Sequence, residues 1–283
     1  MSFFKKPPKS KVVAVIDITS SSVGGALVES NEGCPITILV APKSPVNFLF
    51  DVNLDASLRS TAEALRLAAK KLKSLYSGKI DEVLCVFSSP WFASKTKIIT
   101  VARDKPFEIK KDFFTRLIEE EEKNFEGVKN ENGLFIEHEV IKSELNGYSA
   151  KSPIGKIAQS VKSYIYLSAG MEKAMETAEK EIAKIFVPAP LRFATSSLVV
   201  FKVLNDIINN KEGFLIIDIG GEITEINLIR NNALEQSASF SKGTNFLFRK
   251  AAIALNTFLK EAVSIVKVYS RGHRTLESSD KIA

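Results

Sequence analysis

The chain has 283 residues, 45% hydrophobic and 25% charged, which suits two lobes built on apolar cores and excludes a disordered polymer. Two cysteines and two histidines without metal-ligand spacing exclude a disulfide framework and a histidine-centred catalytic or metal cluster. The net charge of +6 gives no case for nucleic acid, because Lys5, Lys6, Lys9 and Lys11 precede the first acid, Asp17, and the remainder is nearly balanced.

Residues 1–11 read as a flexible basic tail: either a solvated segment or, through Phe3, Phe4 and the lysines, a peripheral contact with an anionic membrane surface. No run is long enough for a membrane helix and none has the layout of a secretory signal, so a cytoplasmic location is expected. Strands are predicted over 12–18, 24–29 and 35–40, then a polar loop around Pro42 and Pro45. Residues 55–75 place Leu58, Ala62, Leu65, Ala69 and Leu72 on one helical face, and 81–88 form an apolar strand that carries Cys85 into the core.

A strand over 96–102 and a helix over 112–125 follow, the helix with an apolar face of Phe113, Phe114, Leu117 and Ile118 and a solvated acidic run, Glu119 to Glu122. Strands over 135–145 and 161–167, joined through 147–155, lead to a helix over 172–186. Pro188 and Pro190 mark a return to the main body, and a helix over 195–208 turns Ser196, Leu198, Val199 and Val203 inward. Ala233 to Phe240 is a strand, and Gly243 opens one long helix with Thr244 as N-cap and a stripe of Phe248, Ala252, Leu255, Leu259 and Val263.

One pattern occurs twice: KVVAVIDITSSS at 11–22 and GFLIIDIGGEITE at 213–225 are each an apolar strand running into an aspartate and a turn of small or hydroxylated residues. Either copy alone reads as a strand end with a hairpin turn. The pair reads better as two half-sites on one phosphate-bearing ligand, with carboxylates for a hydrated divalent cation and turn N–H groups for phosphate oxygens.

Asp17 to Ser20 and Asp218 to Gly221 resemble the two phosphate loops of the actin-like ATPases, and FIEHEVI at 135–141, SPIG at 152–155 and VKSYIYL at 161–167 resemble the strand-helix-strand-strand insertion of the FtsA cell-division and PilM pilus-assembly proteins. The resemblance covers about residues 12–269 and implies an α/β actin-like ATPase (ribonuclease H-like) fold. Its parts would be a tail (1–11), a first lobe (12–93), the inserted subdomain (94–187), and a linking helix with an incomplete second lobe (188–283). It also implies ATP and Mg²⁺ as cofactors, with Asp17 and Asp218 holding the metal through water and Thr19, Ser20, Ser21, Ser22, Gly220, Gly221 and Thr224 around the phosphates.

The implied role is an FtsA-like scaffold that associates with itself and links a cytoskeletal polymer to the inner face of the cell membrane. The alternatives are a PilM-like pilus adaptor and a degenerate pseudo-ATPase, with division or pilus proteins as partners. Thr19 and Glu222 replace glycines of the family pattern, and the late Gly-Gly turn for adenosine is not found after Gly243. No acid or amide lies between Pro188 and Leu204 to orient an attacking water, so hydrolysis is expected to be slow or negligible.

Overall fold

The computed structural model describes residues 10–31, 35–48, 50, 53–129, 133–208 and 212–271; residues 1–9 of the basic tail, Cys34 and His273 lie outside them. The first lobe contains β1 (Lys11–Ile18), β2 (Ser22–Ser30), β3 (Thr37–Val40), β4 (Lys43–Pro45), α1 (Leu54–Leu75) and β5 (Glu82–Phe87). The insertion contains β6 (Phe92–Glu108), α2 (Lys111–Lys123), α3 (Glu126–Lys129), β7 (Gly133–Leu145), β8 (Tyr148–Ser149) and β9 (Ile157–Met171). Then come α4 (Glu172–Phe186), β10 (Leu191–Thr195), α5 (Ser196–Ile208), β11 (Phe214–Ile219), β12 (Thr224–Arg230), β13 (Ala233–Phe240), α6 (Thr244–Ala254) and α7 (Leu259–Ser270).

The first sheet has the order β10-β5-β1-β2-β3, with β4 on the other end of β2; β10, β5 and β1 are parallel, and the β1-β2-β3 part is antiparallel. Alternation along β1 buries Val12, Ala14, Ile16 and Ile18, and α1 covers them with Ala64, Leu65, Ala68, Ala69 and Leu72. Gly25 permits that approach, since a Cβ there would stand 2.6 Å from Leu72 Cδ1. Asn53 caps α1 by accepting the Ala56 N–H at 2.9 Å. The region around Pro42 and Pro45, expected as a loop, is strand β4, because β2 offers it a free edge from Ser22 to Gly24.

The helix α4, expected within the inserted subdomain at 94–187, instead shares the first lobe's core through Ala174, Met175, Ala178, Ile182 and Phe186, because its apolar stripe faces α1. Glu181 on α4 accepts from Arg66 Nε of α1 and from Lys184 Nζ, each at 2.7 Å, and the Arg66 hydrogen bond leads in lowering its carboxyl pKa to about 2.

The insertion forms a second sheet, β6-β9-β7-β8; the expected strand-helix-strand-strand order gains a short helix, α3, after α2 and a two-residue strand, β8, between β7 and β9. Its central strand β9 is buried on both sides: Ile165 and Leu167 pack with Phe125, while Tyr166 packs with Leu198, Phe201, Ile229 and Leu234 of the second lobe. Glu121 and Glu122 of the acidic run reach back to Lys97 and His138, so only part of that run is solvated.

The second lobe's sheet is β11-β12-β13, all antiparallel. Helix α5 buries Ser197, Leu198 and Phe201, whereas Val203 is exposed; the inward face lies beside the one the apolar pattern marked. The long helix expected from Gly243 is two helices. Asn256 takes a left-handed φ of 49° and the Thr257 N–H bonds the Ala252 carbonyl at 3.1 Å, a C-terminal cap that stops α6.

Candidate functional site

Each strand-aspartate-turn is an antiparallel hairpin. On the first, Asp17 of β1 faces Gly24 of β2; on the second, Asp218 of β11 faces Glu225 of β12. Each aspartate is the next-to-last residue of its strand, and Asp218 lines the crevice between the two loops. Gly24 is also the register partner of Lys43 on β4, so a residue without a side chain separates that lysine from Asp17.

Burial raises the Asp17 carboxyl above its ordinary value and the negative charge of Asp218 raises it further, with Lys43 and a hydrogen bond from Ser88 opposing. Burial likewise raises Asp218, and Glu225 adds to it. Asp17 is thus raised in part by Asp218, and Asp218 in part by Glu225. Among the described residues no cluster of three or more metal-ligating side chains forms.

The loops themselves are closed on each other. Thr19 Oγ1 accepts the N–H groups of Ser21 at 3.3 Å and Ser22 at 3.1 Å, and donates to the Ser22 carbonyl at 3.0 Å; Ser22 Oγ lies 3.3 Å from it. Ser20 Oγ reaches across the lobes and accepts the Glu222 N–H at 3.0 Å. Gly220 N–H bonds the Ile223 carbonyl at 2.9 Å, and a Cβ on Gly221 would stand 2.5 Å from Ser21 Cβ. Several of the N–H groups that the sequence assigns to phosphate are thus already satisfied by hydroxyls and a carbonyl of the same loops.

The start of α6 holds the second loop from behind. Its N-cap is Gly243, without a side-chain bond; Thr244, expected to cap, gives its N–H (3.0 Å) and hydroxyl (3.2 Å) to the Gly220 carbonyl, and Asn245 N–H bonds the Gly221 carbonyl at 2.8 Å. Glu222 turns its carboxylate to Arg249, which binds both oxygens, and to Asn245 Nδ2 at 2.8 Å. Thr224 is buried and donates to the Lys242 carbonyl at 2.7 Å, a tie within the second lobe.

A crevice of about 180 Å³ remains between the loops, lined by Thr19 to Ser22, Lys43, Ser88, Ser89, Asp218, Gly220 and Glu225 among others. Sequence reasoning did not single out Lys43, Ser89 or Glu225. Glu225 is buried and accepts from Ser89 Oγ at 2.6 Å, Asn227 Nδ2 at 2.8 Å and Ser197 Oγ, the second residue of α5. Its signal was parity: Glu225 and Asn227 share a β12 face with the buried Ile229, and polar side chains on a buried face mark a network. An acid does therefore lie near the start of the linking helix, supplied by β12 rather than by the 188–204 segment.

No protein-family model matches the chain, and no curated protein matches it by sequence. Solved structures do. PilM of the PilM-PilN type IV pilus biogenesis complex superposes with a TM-score of 0.64 at 15% identity, over 92% of this chain and 70% of that one. The ethanolamine utilization protein EutJ from Carboxydothermus hydrogenoformans gives 0.46 at 13%, over 94% and 64%, and a Bacteroides thetaiotaomicron protein with an actin-like ATPase fold gives 0.43 at 12%, over 91% and 81%. The chain spans little more than half (56%) of a further match, the Aquifex aeolicus PPX-GPPA enzyme, at a TM-score of 0.39 and 13% identity over 86% of this chain. The fold is shared with PilM.

Proposed function

We propose that this chain is an actin-fold adaptor of the pilus-assembly kind, which takes ATP with Mg²⁺ between its lobes, turns it over slowly or not at all, and offers its insertion to protein partners, further copies of itself included. The observation that carries this reading is the likeness to PilM over 92% of the chain. An FtsA-type division scaffold is the alternative, with a division polymer as its partner; the PilM likeness favours pilus assembly. Among the described residues no helix is long and apolar enough to cross a membrane, so attachment at the inner face of the membrane is proposed to be peripheral.

The charge of Asp218 raises the Asp17 carboxyl, and a hydrated Mg²⁺ held beside both carboxylates would oppose that rise. Phosphate fits under a condition: Ser20 must give up the Glu222 N–H and Thr19 those of Ser21 and Ser22, contacts of 3.0 to 3.3 Å that a phosphate oxygen could replace. Bound there, Mg²⁺-ATP would supply charge neutralisation and an acceptor shared by both loops, shifting the lobes toward closure by its differential affinity.

The same hydroxyl contacts favour a second reading, a pseudo-ATPase scaffold held closed without nucleotide. Calorimetry separates the two. Binding of Mg²⁺-ATP by the wild type that is lost in Asp218→Ala supports the switch; no heat from either variant leaves the scaffold alone. Retention of a PilN-type protein rather than of a division polymer on the immobilised chain decides the partner class.

A further inference from the structure

Asp17 and Asp218 occupy the same place in their hairpins, so Ala14, Ile16 and Ile18 of β1 correspond to Leu215, Ile217 and Ile219 of β11. The Thr19 N–H bonds the Ser22 carbonyl and the Gly220 N–H bonds the Ile223 carbonyl, and these two pairs fix the alternation of each antiparallel ladder. In steps of two back from them, Asp17 and Asp218 bond within their hairpins. The six corresponding residues point their N–H and C=O groups to the other side.

In the first lobe that side is taken. β5 runs parallel to β1 with Val83, Cys85 and Phe87 in register with Ala14, Ile16 and Ile18, and the Ile18 carbonyl accepts the Ser88 N–H at 3.0 Å. Those three β1 residues are at most 1% exposed. In the second lobe, among the described residues, β11 pairs with β12 alone, and Leu215, Ile217 and Ile219 are 58%, 58% and 61% exposed. Their side chains share a face with Ile226 and Leu228 of β12 and with Ala238 and Phe240 of β13, all half-buried or exposed, while Phe214 and Ile216 on the opposite face pack on Leu198 and Phe201 of α5. β11 carries no lysine, proline or bulge, the devices that keep an edge strand from pairing.

Outward N–H and C=O groups beside bare aliphatic side chains form a template for one more strand, and the first lobe specifies which kind. β5 is parallel and, after Glu82, wholly apolar, as a strand buried on both faces requires. Neither 1–9 nor 272–283 has a run of that kind, so neither is the occupant. We infer that β11 is a docking edge for an extended apolar segment of a partner protein, which joins the second sheet in parallel through Leu215, Ile217 and Ile219 as β5 joins the first. The edge lies outside the insertion, and the inference does not depend on the adaptor reading above.

The probe is a synthetic peptide with the β5 sequence, residues 81–88, made soluble by lysines placed outside it and added to the ¹⁵N-labelled chain. In the free chain the amides of Leu215, Ile217 and Ile219 should exchange with solvent faster than those of Ile216 and Asp218. At saturating peptide the first three should slow about tenfold or more, and the other two should not change. The same peptide N-methylated at every residue, and so unable to donate, should bind about tenfold more weakly, and Ile217→Lys should weaken the unmodified peptide with the rest of the spectrum superposing on the wild type. A nitroxide at the peptide's N-terminus should broaden Phe214 more than Ile219, as parallel docking requires. Protection of the three amides that grows with the concentration of the free chain would give the edge to a second copy, and protection independent of concentration would give it to the chain itself. Either result overturns the inference, as does a peptide that leaves the three amides unprotected or that N-methylation does not weaken.

Discussion

The two hairpins that carry Asp17 and Asp218 are built to the same register and differ in what faces each aspartate. Gly24 faces Asp17 and leaves it open to Lys43, whereas Glu225 faces Asp218 and adds a second carboxylate. Their supports differ as well. β1 runs through the middle of a six-stranded sheet with Ala14 and Ile16 fully buried, while β11 is the edge of a three-stranded sheet with Leu215, Ile217 and Ile219 more than half exposed. One hairpin is held by apolar packing. The other is held by polar bonds that Glu225 makes to Ser89 and Ser197, where the chain passes from one part to the next.

The largest effect should come from removing that hub. Glu225→Ala leaves two hydroxyls and the Asn227 amide without their acceptor in a buried site, and is expected to cost about 2–4 kcal/mol. Thermal unfolding should show a midpoint lowered by roughly 5–15 °C. A drop of a degree or less would mean that packing, not Glu225, holds the second hairpin. The same variant should lower the Asp218 carboxyl toward its ordinary value, readable by NMR titration, and so make the second half-site resemble the first.

Glycine substitutions test the asymmetry at the loops. A Cβ on Gly221 collides with Ser21 across the lobes at 2.5 Å, so Gly221→Ala should cost about 1–3 kcal/mol in denaturant unfolding. Gly24→Ala meets only ordinary contacts, Asp17 Cβ at 3.7 Å being the nearest, and should be neutral or slightly stabilising. Equal losses at the two positions would show that the loops do not touch in solution.

These contrasts also mark what the sequence discloses. The strands and helices around both aspartates are legible because they rest on local signals: a period of two in β1, a period near 3.6 in α1, and an aspartate near each strand's end. The zip between the loops is not, because Ser20 and Glu222 are 202 residues apart and no local rule says a hydroxyl will reach an amide that far along the chain. Lys43 and Glu225 were missed for the same reason: their roles arise from register across strands. The break at Asn256 was within reach, since asparagine is the commonest substitute for glycine in a left-handed cap.

The acidic pair predicts an inverted pH response. Asp17 and Asp218 both have carboxyls raised by burial, so in the interval between their unfolded and folded values the native state binds more protons than the unfolded chain. Stability therefore falls as pH rises through that interval. Asp17→Asn or Asp218→Asn should raise the unfolding midpoint above that interval and leave it unchanged well below the carboxylate range. Mg²⁺ should raise the wild-type midpoint and lose most of that effect in either variant; equal stabilisation of all three would place the ion elsewhere.

The smallest effect concerns Ser20, and it reads most directly on how the halves meet. Its hydroxyl accepts the Glu222 N–H at 3.0 Å, the place a ligand oxygen must take if phosphate is to bridge both loops. Ser20→Ala leaves that N–H to water at the crevice, and should cost about 0.5–1.5 kcal/mol without ligand. Mg²⁺-ATP should then stabilise the variant more than the wild type, because phosphate no longer has to displace the hydroxyl before it can accept from Glu222. Comparing the ligand-induced shift in midpoint between the two proteins isolates that competition from the variant's basal loss. Shifts of equal size would mean that phosphate and the Ser20 hydroxyl never contend for the same donor, and that the zip is a fixed part of the fold.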